Sequence, residues 1–501
     1  MTDERDDATT TLPEASPAAA ESNSYDIPLA EHLRTAIAAD WAPAAAMPHA
    51  ARPDGAPSAT RRRQSVSEQF PGQLIVVPAG NVTVRANDTD YPFRASSSFT
   101  WLTGETQADA VLVMAPGPSG HGSTLYVHEY AQPGEVAYFT SRTRGAVWVG
   151  NVPNLADTAE VLQLSTRPLS SLAGDLEPFH GTEAAVLTGV DPSVDSMLPR
   201  GTAERLGQTL DELRLVKDEW EIARLRYACE ATARGFADIA RELPRVIGRS
   251  DIRGERWLEG TFWRRARLDG NEVGYGSIVG AGTHGTVLHW WRNHGTIEPG
   301  QLLLADMGVE TDELYTADVT RTMPVDGTWT PDQLRVYRAV QEAQAAGLAE
   351  VKPGADFLAP HRAAMWVLAD HLHSWGILPV TAEVSCAEDP EQPGAGLHRR
   401  YTLHGTSHML GIDVHDCALA RNEVYRDGTL SAGHVLTVEP GLYFQVHDQS
   451  VPAELRGLAV RIEDDVAVTD GEPINLSAGL PRDPDEVTAW MREVQGTPAV
   501  P

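Results

Sequence analysis

At 501 residues the chain is long enough for two large domains and a substantial core. Its 42% apolar and 22% charged residues are ordinary for a globular protein, and the formal net charge of −30 argues against nucleic-acid binding, since a phosphate backbone would be repelled. No run of about 18 apolar residues is present, so nothing in the sequence reads as a membrane span. The N-terminus has no basic segment followed by an apolar core and does not read as a signal peptide. Three widely spaced cysteines, Cys229, Cys386 and Cys417, fit a reducing compartment, and the expected location is the cytoplasm.

Residues 1–25 lack periodicity and read as a disordered tail. A helix is expected around Leu29 to Trp41, then a Pro/Ala-rich connection ending at Arg61-Arg62-Arg63, a triplet that reads as a solvated charge run. The runs Leu74 to Val77, Ala110 to Met114, Leu125 to Val127 and Ala184 to Leu187 read as buried strands. With helical stretches between some of them, they suggest an α/β domain over residues 26–205. From Leu206 one long amphipathic helix through Leu213, Val216, Trp220, Ala223 and Tyr227 opens a second domain, residues 206–485. There the order helix, helix, acid-bearing strands occurs twice. The first helix pair covers roughly 218–243 and 251–268; the second starts at Thr330 as N-cap with Pro331 behind it, and breaks at Pro353-Gly354 before Phe357 to Trp375. This repeated order predicts pseudo-two-fold symmetry with a site between the halves. Residues 486–501 read as a short helix and tail.

The acid-bearing runs carry the chemistry. Asp306, Asp318, Glu439 and Glu463 each interrupt an apolar strand-like run, which costs several kcal/mol unless something pairs the carboxylate. His408 joins them from the Gly-containing stretch His404-Gly405-Thr406-Ser407-His408. Four carboxylates and one imidazole bring about four negative charges together, a repulsion that two divalent cations would cancel. His404 and His408 are spaced like a helical zinc pair, but no Glu follows His404 and Gly405 disfavours a helix. One imidazole among four carboxylates is a hard, oxygen-rich set that suits Mn²⁺, with Co²⁺ or Zn²⁺ as alternatives. Arg461, two residues before Glu463, is placed to orient that acid and counts among the candidate substrate-binding residues, its alternative being an ordinary paired strand Arg, and Tyr443 is placed to line the pocket or the core.

In chain order and surroundings the five residues resemble those of the pita-bread metallopeptidases, the aminopeptidase P and prolidase group. The resemblance spans roughly residues 70–475 and includes Asp90-Tyr91-Pro92-Phe93-Arg94 and Ser98 to Gly104 in the N-terminal half. It implies a creatinase-like α/β N-terminal domain followed by an α+β pita-bread domain. It further implies that Asp318 and Glu463 bridge two metals, that His408 and Glu439 complete one of them, and that Asp306 completes the other. A hydroxide between the metals would be the nucleophile, and Glu439 the proton shuttle to the leaving amine. His289 would pack on a proline ring, while His404 and His415 would hold the substrate carbonyl.

The implied activity is release of the N-terminal residue from peptides whose second residue is proline, by a homo-oligomer, dimer or tetramer. The rival within the group is a prolidase restricted to Xaa-Pro dipeptides, for which Arg426 is the candidate carboxylate reader. A rival of another class is a non-catalytic peptide-binding scaffold. One departure stands out. Asp306 and Asp318 are twelve positions apart, one more than the group's commonest form, and Glu310 to Leu314 is the stretch expected to absorb the extra residue in a turn or bulge.

Overall fold

The computed structural model describes residues 29–42, 53–87, 89–150, 152–198 and 203–496. The expected tail at residues 1–25 lies outside them, as does the chain after residue 496.

The apolar runs of the N-terminal part form one mixed sheet in the order Ser165–Pro168, Gly120–Val127, Val111–Gly117, Leu74–Pro78, Ala184–Val186. Strand alternation sorts its side chains. Leu74, Val76, Val111 and Val113 pack with Leu172 and Leu176, whereas Ile75, Val77, Leu112 and Met114 pack with Val66, Phe99 and Leu102 from the helices Ala56–Gln69 and Ser97–Thr103. A sheet covered on both faces needs apolar residues at every position, which is why these strands read as unbroken runs. The second cluster continues into Leu225, Leu314, Tyr315 and Leu410, so one core spans the N-terminal sheet and the acid-bearing region.

Two expectations fail here for one reason, partners far away in sequence. The Arg61 to Arg63 triplet is not a solvated run: Arg62 and Arg63 are buried and donate to Trp101 O at 3.1 Å and Leu102 O at 2.7 Å, last-turn carbonyls of the helix Ser97–Thr103. Arg62 also pairs with Asp218 at 3.1 Å and Glu221 at 3.3 Å. The single helix expected from Leu206 is two, Ala203–Arg214 and Glu219–Val246. Asp218 starts the second with a capping box to Glu221, and Lys217 N–H leaves the helical path to donate to Gly433 O at 2.8 Å.

From there the order repeats as expected. The helices Glu219–Val246 and Gly254–Asp269 precede the strands Ile278–Ala281, Leu302–Met307 and Val319–Pro324. The helices Pro331–Ala349, capped by Thr330 and Gln333, and Ala359–Ser374 precede Val435–Val438, Gly441–Tyr443, Ala459–Arg461 and Asp464–Ala467. The halves meet where Glu463 N–H donates to Thr320 O at 3.1 Å.

The hairpin carrying Asp306 and Asp318 shows how the extra residue is absorbed. Asp306 faces Thr320 and Met307 faces Val319, and the same register continues to a bridge between Glu310 and Thr316. The turn holds three residues, Asp312, Glu313 and Leu314, closed by Thr311 N–H to Tyr315 O at 2.9 Å, with Leu314 left-handed at φ 69°. Asp318, two residues from Thr320, therefore shares a face with Asp306. Gly308 makes this pairing possible, since a Cβ there would lie 1.6 Å from Ala317 O. Gly308→Ala is expected to cost about 3 kcal/mol or more by forcing the hairpin apart, read as a lowered denaturation midpoint; an unchanged midpoint would refute it.

Candidate active site

The four acids come from strand ends more than from strand interiors. Asp306 lies within Leu302–Met307, but Asp318 precedes Val319–Pro324, Glu439 follows Val435–Val438, and Glu463 falls between Ala459–Arg461 and Asp464–Ala467. Strand ends free the side chains to converge. His408 is fixed beside them by its N–H to Thr437 Oγ1 at 3.2 Å and its carbonyl to Thr437 N–H at 3.0 Å. All five line one cavity of about 490 Å³, together with His289, His404, His415 and Arg461.

Donor atoms of Asp318, His408 and Glu463 lie within 4.8 Å of one another. His408 Nε2 is 3.3 Å from Asp318 Oδ2 and 3.7 Å from Glu439 Oε1. Its Nδ1 faces Met409 O at 3.2 Å, and a carbonyl only accepts, so Nδ1 carries a proton and Nε2 is the atom turned to the acids.

A second set of groups holds the acids. Tyr275 OH is shared between Asp306 Oδ1 at 2.6 Å and Asp318 Oδ1 at 2.5 Å. Arg461 donates to Asp306 Oδ2 at 2.5 Å, to Thr320 Oγ1 at 3.0 Å and to Tyr443 OH at 2.9 Å. Thr320 Oγ1 in turn donates to Glu463 Oε2 at 2.7 Å. Arg461 thus touches Asp306 directly and reaches Glu463 only through Thr320, a different contact from the one its position in sequence suggested. Tyr275 and Thr320 carried no signal as site residues beyond the glycines flanking Tyr275.

The three histidines line the same cavity. His289 and Trp291 stack with ring centroids 5.1 Å apart, and His415 meets His408 edge-on at 4.4 Å. His404 Nδ1 donates to Gly405 O at 2.7 Å, so in the neutral ring Nε2 accepts from Tyr443 OH at 2.8 Å. Arg426 is exposed and outside the residues that line the cavity.

Comparison with known proteins decides the family. Metallopeptidase family M24 matches residues 223–470, and the aminopeptidase P N-terminal domain matches residues 59–185. Xaa-Pro aminopeptidase 2 of Streptomyces coelicolor is 48% identical over 444 residues, covering 88% of this chain and 92% of that protein. The chain belongs to metallopeptidase family M24. A further M24 relative, the Xaa-Pro aminopeptidase of Escherichia coli, is 30% identical over 447 residues, covering 86% of this chain and 96% of its own length. The solved structure of E. coli aminopeptidase P with the inhibitor Pro-Leu superposes with a TM-score of 0.76 at 27% identity, covering 88% of this chain and 99% of that one. The pita-bread fold and the creatinase-like N-terminal domain are therefore as expected.

Electrostatics show what this M24 site demands. Burial pushes the Asp306 carboxyl up to about 6 and the Glu439 carboxyl up to about 8, with Arg461 and His408 opposing respectively. Burial, then the charges of Asp318, Glu439 and Asp306, hold Glu463 well above the usual carboxylate range. Burial alone would lower the His408 imidazole, but Asp318 and Glu439 raise it to about 9. Burial lowers His404 to about 3, helped by Arg461. Four acids facing only Arg461 and His408 leave excess negative charge, and the oxygen-rich donors fit the divalent ions that M24 membership implies.

Proposed function

We infer that this chain is a metalloaminopeptidase that releases the N-terminal residue from peptides with proline in second position. The observation that carries the reading is the convergence in one cavity of five metal-type donors with three further histidines. In this reading Asp318 and Glu463 would be shared by two ions, Asp306 would serve one, and His408 and Glu439 would serve the other; the clustered donor atoms of Asp318, His408 and Glu463 support it. Two divalent cations, when bound, would acidify a water and polarise the scissile carbonyl.

The chain's own groups do the rest. Glu439, beside the place where the nucleophilic water would sit, is the group positioned to take up a proton and pass it to the proline ring nitrogen as that nitrogen leaves. His289, backed by Trp291, offers a flat surface for the proline ring, and His415 lines the cavity as a donor for the substrate carbonyl; His404, whose one N–H serves Gly405 O, would reach that carbonyl only by giving up this bond. Arg461 acts on Asp306 and Thr320, and its link to substrate runs through Tyr443 and His404. Four hard carboxylates beside one imidazole favour Mn²⁺ over Co²⁺ or Zn²⁺.

The prolidase reading needs a free cation to hold a dipeptide's carboxylate. Among the described residues lining the cavity Arg461 is the one guanidinium, and its donors already serve Asp306, Thr320 and Tyr443. With Mn²⁺ the protein is expected to cleave Ala-Pro-Pro at least ~10-fold faster than Ala-Pro, and Asp318→Ala to cleave neither. Faster release from Ala-Pro would make it a prolidase. An intact Ala-Pro-Pro, with Asp318→Ala no different from the parent, would sink the reading altogether.

A domain boundary near residue 205 is supported by the two family matches lying on either side of it. No helix among the described residues is long and apolar enough to cross a membrane. Three free cysteines suit the cytoplasm. Assembly as a dimer or tetramer completes the reading, with light scattering as its measurement.

A further inference from the structure

Arg94 belongs to the N-terminal part, between the strand Thr89–Asp90 and the helix Ser97–Thr103, but its guanidinium serves the catalytic part. Nε donates to Glu310 Oε2 at 2.7 Å, Nη2 donates to Ile412 O at 2.8 Å, and Nη1 lies 3.3 Å from Asp413 Oδ1. Glu310 sits on the hairpin between Asp306 and Asp318, while Ile412 and Asp413 lead directly into His415. One planar group therefore joins the acid hairpin to the histidine loop.

The partners are themselves held. Glu310 is buried and also accepts from Asn271 Nδ2 at 2.8 Å. Asp413 accepts from Ser97 Oγ at 2.6 Å and from Arg214 Nη2 at 2.9 Å. On the far side of His415, Asp416 is gripped by Arg214 and by Lys217 Nζ at 2.8 Å. His415 is exposed, so the backbone on either side of it decides where its ring stands.

We propose that Arg94 is a positioning residue through which the N-terminal part sets His415 against the acid cluster. The proposal rests on the aminopeptidase reading above. Three acceptors in different directions match a rigid fork of five donors spread over three nitrogens, whereas an ammonium has its three donors on one nitrogen and cannot span all of them. The Arg94 side chain is 37% exposed but Glu310 is buried, so removing the guanidinium leaves that carboxylate held by Asn271 and lowers stability, whereas Arg94→Lys keeps a cation beside it. Loss of the fork would also let the loop shift, and a displacement of about 1 Å in a substrate-positioning group lowers turnover by about 10²-fold.

The test uses the full chain with Mn²⁺ and Ala-Pro-Pro. Arg94→Ala and Arg94→Lys are each expected to lower kcat by roughly 10- to 100-fold with KM within about twofold and bound Mn²⁺ unchanged, Arg94→Lys at the parental melting temperature and Arg94→Ala at a lower one. Methylguanidine at millimolar concentration should restore part of kcat to Arg94→Ala and none to His415→Ala. Parental kcat in Arg94→Ala overturns the proposal. So does a loss that tracks melting temperature or metal content in both variants, or one that methylguanidine leaves untouched. A parent protein inactive on Ala-Pro-Pro takes down the aminopeptidase reading as well, and shows itself before any variant is made.

Discussion

Glu463→Gln is expected to lower kcat on Ala-Pro-Pro by ~10³-fold or more, and yet to raise the melting temperature of the chelated protein at pH 8 by a few degrees. The substitution keeps the side chain's shape and an acceptor for Thr320 Oγ1, which donates to Glu463 at 2.7 Å. What it removes is a charge. Glu463 is 1% exposed, and burial together with Asp318, Glu439 and Asp306 holds its carboxyl well above the usual range. Without cations that charge opposes folding; with cations it is what binds them. Activity and metal-free stability should therefore move in opposite directions, as at sites where function is bought with strain. A chelated Glu463→Gln protein that melts below the chelated parent would refute the argument, as would one that retains parental kcat.

Chelation should destabilise the parent protein far more at pH 8 than at pH 5.5. In the folded chain Asp306 releases its proton near pH 6, Glu439 near 8 and His408 near 9. The unfolded chain releases each of them earlier, at about 4 for the carboxyls and about 6.5 for the imidazole. All three contributions to stability are thus complete below the unfolded values and are lost as pH rises through the folded ones. Each proton held by the folded chain alone corresponds to ~1.4 kcal/mol lost per pH unit over its window. Asp318 has the opposite sign, its carboxyl being held down by His408 and Tyr275 against burial, but its window lies below about 4. Saturating Mn²⁺ should abolish the slope, because the ion replaces the protons. Melting curves from pH 5.5 to 8.5, with chelator and with Mn²⁺, isolate the effect as a difference in which all other titrating groups cancel. Parallel curves would exclude it.

The five donors were legible in the sequence because a carboxylate inside an apolar run is an anomaly that demands a partner, and four such anomalies share one remedy. The twelve-residue spacing was legible too, as a question the turn had to answer; the left-handed Leu314 answers it. Tyr275 and Thr320 escaped notice because a neutral hydroxyl near a strand breaks no pattern, although each hydrogen-bonds an acid of the site. Strand limits around Glu439 and Glu463 were hidden for another reason. Their N–H groups bond Thr406 O and Thr320 O, partners from other segments that no local periodicity reveals. Arg62, Arg63 and Lys217 follow the same rule: their acceptors lie far along the chain or across the two halves.

The hairpin that carries Asp306 and Asp318 ends in a turn anchored by two buried residues. Leu314 and Tyr315 are at most 2% exposed, Tyr315 OH donates to Glu221 at 2.9 Å, and its ring meets Trp220 edge-on at 5.7 Å. Arg62, from the N-terminal part, bonds the same Glu221 and lies over the same Trp220. During synthesis the N-terminal sheet leaves the ribosome well before this turn does, and domains generally fold in that order. By that order the turn would meet a socket whose N-terminal side is already built, and the acids on the hairpin's two strands would come into register against it.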